Sequence, residues 1–88
     1  SEKDRGAECT ASRKRMNERI LAEPTQVVRR FCALKTGTYK AGALDVKTKE
    51  LLGLVASMVL RCDDCISYHI ISCIDAGCTD DELWECFD

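Results

Sequence analysis

Cys62-Asp63-Asp64-Cys65-Ile66-Ser67-Tyr68-His69 is the stretch on which the reading of this chain turns. Two cysteines stand three apart, and the chain's single histidine follows four residues later. At about 100° per residue, Cys62, Cys65, His69, Cys73 and Ala76 fall within roughly 80° of arc. One helix face therefore carries two thiols and an imidazole. If the helix opens at Cys62, free backbone N–H groups and the positive end of the helix dipole stabilise a thiolate there. Two cysteines at this spacing can also close a disulfide, and His69 is within a turn of Cys65 to accept or deliver its proton. The alternative for Cys62 and Cys65 is a pair of small packed residues. For His69 it is a satisfied core histidine.

Outward from the motif, the flanks read as helices. Residues 46–60 hold Leu51, Leu52, Leu54, Val55, Met58, Val59 and Leu60, apolar nearly all round, which predicts a buried helix. Asp45 is its N-cap, and the chain turns at Arg61. The motif helix runs from about Asp63 to Ala76, with Gly77 at its C′ position. Thr79 and Glu82 form a capping box for a last helix carrying Leu83, Trp84 and Phe87, which are expected in the core or a subunit interface. Upstream, Pro24 suits the first turn of a helix whose apolar face is Val27, Val28, Phe31 and Leu34. Gly37 and Gly42 bracket a loop through Tyr39. Residues 11–22 suit a further helix, and residues 1–10 read as a flexible charged tail. No strand alternation, repeat or low-complexity tract is present.

Glu50 lies twelve residues before Cys62, among Val46, Gly53, Leu54 and Ser57 rather than in a charged stripe. Burial favours the neutral form of a carboxyl, which suits such a group to carrying a proton near neutral pH. On a helix packed against the motif, Glu50 could meet His69 or the thiols. The alternative is an ordinary surface or first-turn residue.

Composition narrows the field. With 88 residues the chain is one domain by length, and its core is small enough to make oligomerisation an expectation. A formal net charge of -2 argues against nucleic acid. No apolar run reaches the ~20 residues that cross a bilayer. The charged N-terminus lacks an apolar signal core, so the expected location is cytoplasmic. Seven cysteines, an odd number, fit metal or redox chemistry there better than a secreted disulfide framework. Cys73 extends the reactive face, although a Cys there more often packs. Cys9, Cys32, Cys78 and Cys86 have no assignable partner. No phosphate loop or dinucleotide fingerprint occurs, so no cofactor is expected.

The combination is family-specific. Gly42-Ala43-Leu44-Asp45, Lys47 to Leu52 with Glu50, Cys62-x-x-Cys65-x-x-x-His69, Ala76-Gly77 and Thr79-x-x-Glu82 resemble the carboxymuconolactone decarboxylase-like family. More narrowly, they resemble its AhpD-like alkylhydroperoxidase branch, over about residues 24–87. The resemblance implies an all-α fold of about five helices over residues 11–88, associating as trimers or hexamers. It implies a thiol peroxidase or disulfide oxidoreductase acting on a peroxide or disulfide. Cys65 would be the attacking thiol and Cys62 the resolving one, with His69 and Glu50 as the proton relay. The reductant would be a lipoyl domain or a thioredoxin-like protein. Asp64 stands where well-studied AhpD proteins carry a second histidine. Family domains also continue beyond a point equivalent to Asp88, so a truncated or minimal domain completed by neighbouring subunits is expected.

Two other functions fit the same residues. Cys62, Cys65 and His69, with or without Cys73, offer sulfur and nitrogen ligands for zinc, although four ligands along one helix converge poorly. A non-catalytic oligomeric scaffold is the other.

Overall fold

The computed structural model describes residues 2–23 and 25–88, and side chains of residues 6–23 and 25–88. The architecture is all-α: α1 (Glu2–Ala22), α2 (Gln26–Thr38), α3 (Val46–Leu60), α4 (Asp63–Asp75) and α5 (Asp80–Phe87). No strand occurs among the described residues. The chain divides into two compact units, Ser1–Thr38 and Tyr39–Asp88.

In the first unit α1 packs on α2. Here two expectations need correction. Helix α1 begins at Glu2, ahead of the start expected at residue 11, so it takes in residues 2–10. Glu2, Lys3, Glu8 and Ala7 are good helix formers, and charge alone does not stop a helix. Helix α2 runs through Gly37 to Thr38, whose Oγ1 donates to the Leu34 carbonyl oxygen at 2.8 Å. The loop therefore starts at Tyr39. The place expected for Pro24 lies outside the described residues.

The second unit is an α3–α4 pair with α5 in contact with α3. Its helix ends follow the local chemistry. Asp45 caps α3, its carboxylate accepting the Thr48 N–H at 2.8 Å. Arg61 closes α3 with φ 55, a left-handed conformation costing a non-glycine residue about 1 kcal/mol. There the Arg61 and Cys62 N–H groups reach back to Met58 and Ser57 carbonyl oxygens, at 3.1 and 3.2 Å. The α4 end repeats the device with Gly77 at φ 92. Thr79 and Glu82 form the reciprocal capping box of α5.

Leu54, Cys73 and Leu83 make the core, with Leu51, Met58, Ile66, Ile70, Cys78 and Cys86 packed around it. One face of α3 is buried, through Glu50, Leu54 and Ser57. The expectation that this helix is buried all round fails: Leu52, Val55, Val59 and Leu60 are exposed. Two neighbouring helices cover only one side of a third. Of the two places expected for Trp84, the core is excluded: it is 66% exposed in this chain and stacks edge-on against Phe87.

Candidate functional site

Cys62 is the N-cap of α4, and its Sγ accepts the Cys65 N–H at 3.3 Å. Serine and asparagine oxygens usually fill this role; here a sulfur meets one of the four N–H groups that a helix start leaves unpaired. The backbone thus stabilises negative charge at Cys62. Cys62 and Cys65 are joined as a disulfide, their Cα atoms 5.2 Å apart. Cys65 is exposed and Cys62 half-buried, so an incoming group meets Cys65 first.

One turn on, His69 is buried. Its Nδ1 lies 2.9 Å from Glu50 Oε2, and Glu50 is buried too. The pair joins α4 to α3 across nineteen residues of sequence. An ionised carboxylate only accepts, so with Glu50 charged Nδ1 carries the hydrogen and Nε2 keeps its lone pair for a proton. Glu50 is accordingly no surface residue, and His69 has a polar partner that orients its ring.

Three further residues complete the setting. Gly53, one turn beyond Glu50, is bare where the imidazole lies: a Cβ there would stand 2.6 Å from His69 Cε1 and 2.7 Å from Tyr39 Oη. Ser57 Oγ donates to the Gly53 carbonyl oxygen at 2.7 Å. Tyr39 lies with its ring centroid 5.6 Å from that of His69, and Tyr68 approaches edge-on at 5.2 Å. Burial first, and then the Glu50 carboxylate, push the Tyr39 phenol above its ordinary range, so it remains a neutral donor. Lys49 Nζ donates to the Lys40 carbonyl oxygen at 2.7 Å and so pins the loop that delivers Tyr39. Tyr39 and Gly53 were not legible as site residues; the only hint was a glycine in the middle of an otherwise apolar helix.

Cys73 does not belong to this group. It is 0% exposed in the core beside Leu54, so the third thiol of the face packs away from the CxxC pair. Among the described residues no set of three or more His, Cys, Asp or Glu side chains converges as a metal site. Among them, too, no helix is long and apolar enough to cross a membrane.

The all-α unit thus sets a helix-capping CxxC disulfide one turn from a buried Glu–His bridge. Residues 25–88 match the model of the carboxymuconolactone decarboxylase family, and the chain belongs to that family. The TM1620 protein of Thermotoga maritima, in two crystal structures, is 48% and 47% identical in sequence, with TM-scores of 0.86 and 0.84. Each alignment covers 92% of this chain, and 71% or 68% of the other. That protein is described as a member of the same family with a possible involvement in antioxidative response. A Paracoccus denitrificans protein, "uncharacterized protein 4 in cox locus", is 33% identical over 55 residues, 62% of this chain. The match spans half the length of that relative.

Proposed function

We propose that the protein is an AhpD-like thiol peroxidase or disulfide oxidoreductase that cycles Cys62 and Cys65. The observation that carries this reading is the Cys62–Cys65 pair at the start of α4 with the Glu50–His69 bridge one turn on. The antioxidative link of the Thermotoga relative supports the same chemistry.

In the reduced protein, His69 takes the Cys65 proton and passes it on through Glu50. The Cys65 thiolate attacks the outer oxygen of a hydroperoxide, breaking the O–O bond. The alcohol leaves with the proton, and Cys65 becomes a sulfenic acid. Cys62 then attacks that sulfur, expelling water and closing the disulfide. One thiol of a dithiol reductant, a lipoyl domain or a thioredoxin-like protein, attacks the exposed Cys65 sulfur. Cys62 departs as a thiolate onto the Cys65 N–H, which already points at its sulfur. The reductant's second thiol then displaces Cys65, leaving the reductant as the disulfide. The sites of both cysteines thus suit their assigned roles. A cytoplasmic setting supplies such dithiols. The exposed apolar side chains of α3 favour a homo-oligomer, a trimer or hexamer, over an isolated chain.

The test is intact mass and peptide mapping of the reduced protein before and after one equivalent of hydrogen peroxide. Loss of two hydrogens at Cys62–Cys65, abolished in Cys65→Ser, is the expected result. Unreactive thiols, or peroxide consumption unchanged in Cys65→Ser, would overturn the assignment.

A further inference from the structure

Of the five cysteines outside the CxxC pair, three pack on one core at the far end of α4. Cys73 is in its last full turn, Cys78 follows the α4–α5 turn, and Cys86 is on α5. All three pack on the Leu54–Leu83 core. Their meeting is a product of backbone geometry. Gly77, at φ 92, reverses the chain, and its N–H reaches the Ile74 carbonyl oxygen at 3.0 Å. The Cys78 N–H reaches the Cys73 carbonyl oxygen at 3.0 Å. These two bonds define a Schellman end, in which the side chains three before the cap and two after it meet in an apolar contact. Here both of those side chains are thiols. Cys78 and Cys86 both pack on the core that holds Cys73 and both act on its thiol, Cys78 more strongly. At the matching end of α3 the same two places hold Ser57 and Cys62. The α4 version alone presents a dithiol.

We propose that Cys73 and Cys78 form a second redox-active dithiol, which a hydroperoxide converts to a disulfide after the Cys62–Cys65 pair has been oxidised. Cys78, half-buried, is the thiol that solvent reaches; Cys73, fully buried, is not. Cys78 therefore attacks the peroxide oxygen, the O–O bond breaks, and the alcohol leaves with the thiol proton. The resulting Cys78 sulfenic acid lies against Cys73. The Cys73 sulfur attacks it, its proton and the hydroxyl depart as water, and the S–S bond closes. Two electrons pass from the two sulfurs to the peroxide. Burial, with Cys78 adding to it, holds the Cys73 thiol up at about 12, so the closing step is slow at neutral pH and quickens as pH rises. The CxxC pair answers first and this pair under sustained load. Closure ties the last turn of α4 to the segment that leads into α5. The order of the two pairs rests on the proposed function, whereas the second dithiol itself rests on a different set of thiols and is read without the first.

The test uses the full chain with Cys62→Ser and Cys65→Ser, reduced, treated with excess hydrogen peroxide at pH 7 and pH 9, then blocked with N-ethylmaleimide. Cleavage before Asp75, Asp80 and Asp81 puts Cys73, Cys78 and Cys86 on separate peptides. The expected result is loss of two hydrogens, with peptides of Cys73 and Cys78 joined, at least tenfold faster at pH 9. Cys78→Ser in the same background should abolish it. The unsubstituted chain, mapped after excess oxidant, provides the same reading should the serine variant fold poorly. A bond from Cys78 to Cys86, or a Cys73 that remains free for alkylation after denaturation, would overturn the proposal.

Discussion

His69 lies against the bare backbone of Gly53, so closely that a Cβ on residue 53 would stand 2.6 Å from its Cε1 and 2.9 Å from its Nδ1. The glycine lets the imidazole reach Glu50 across the α3–α4 contact. Tyr39 Oη occupies the same gap. Gly53→Ala must displace a ring or separate the helices, at about 1–3 kcal/mol for overpacking. Better helix propensity returns about 1 kcal/mol. We expect a net loss of up to about 2 kcal/mol in urea unfolding. The His69 imidazole resonances should move as well. A stabilised variant with unmoved His69 signals would show that the contact matters less than its distance suggests.

Replacing Glu50 separates two roles. Glu50→Ala leaves the buried His69 Nδ1 without its partner, which costs about 1–3 kcal/mol. Glu50→Gln keeps an acceptor of the same shape and removes only the charge. It should unfold closer to the unsubstituted protein but lose thiol reactivity toward peroxide. His69→Ala should slow that reaction by about 10²–10⁴-fold. Stopped-flow peroxide consumption beside urea unfolding reads both effects. Equal stability loss in Glu50→Ala and Glu50→Gln would mean that the charge, not the hydrogen bond, holds the pair.

How much of this was legible beforehand depends on distance along the chain. The ends of α3, α4 and α5 follow from Asp45, Gly77 and the Thr79–Glu82 box because capping is decided within four residues. The CxxC–His face follows from helical periodicity alone. Glu50 could be singled out as a carboxylate in apolar company, but its bond to His69 is tertiary. Tyr39 was hidden for a different reason: it is delivered by a loop whose path depends on Lys49 holding Lys40. The exposed stripe of α3 was misjudged because an apolar composition does not say which partner covers it, another helix of the chain or another chain.

Acid should loosen the second unit at its helix starts. The Thr48 hydroxyl and N–H hold the Asp45 carboxyl below its ordinary range. The Lys47 ammonium, first, and Thr79 do the same for Glu82. A depressed folded value means that the stabilisation is complete above the unfolded carboxylate range, about pH 4. It is lost as pH falls through the lower folded values. The melting temperature should therefore drop below about pH 4. Asp45→Asn, which still caps but does not titrate, should remove part of that drop. An unchanged acid profile in that variant would assign the effect elsewhere.

Alkali should act through Cys73. Its thiol is held up at about 12, against an ordinary 9.0, by burial first and by Cys78 second. The sign is that of a raised folded value: stability is complete below the unfolded value and is lost as pH climbs toward 12. Under reducing conditions the protein should weaken from about pH 9 upward. Cys73→Ala should weaken less steeply over that range, although it begins lower because the cavity costs stability at every pH. Parallel curves for the two proteins would remove Cys73 from the account.

Leu52, Val55 and Val59 fall at i, i+3 and i+7 on α3, a single stripe, with Val59 78% exposed and Leu60 beside it at 77%. Apolar surface left in water forgoes about 25 cal/mol per Å², so a stripe of this kind is a strong incentive to associate. The expected state is a trimer or a larger closed ring, read by sedimentation at micromolar concentration. Val59→Asp places a charge at the most exposed point of that stripe without touching the core or the Glu50–His69 bridge. It should shift the protein to monomer, lower its melting temperature and keep its helical circular dichroism. A monomeric parent protein, or a Val59→Asp variant that assembles as before, would mean that this stripe is not what joins the subunits.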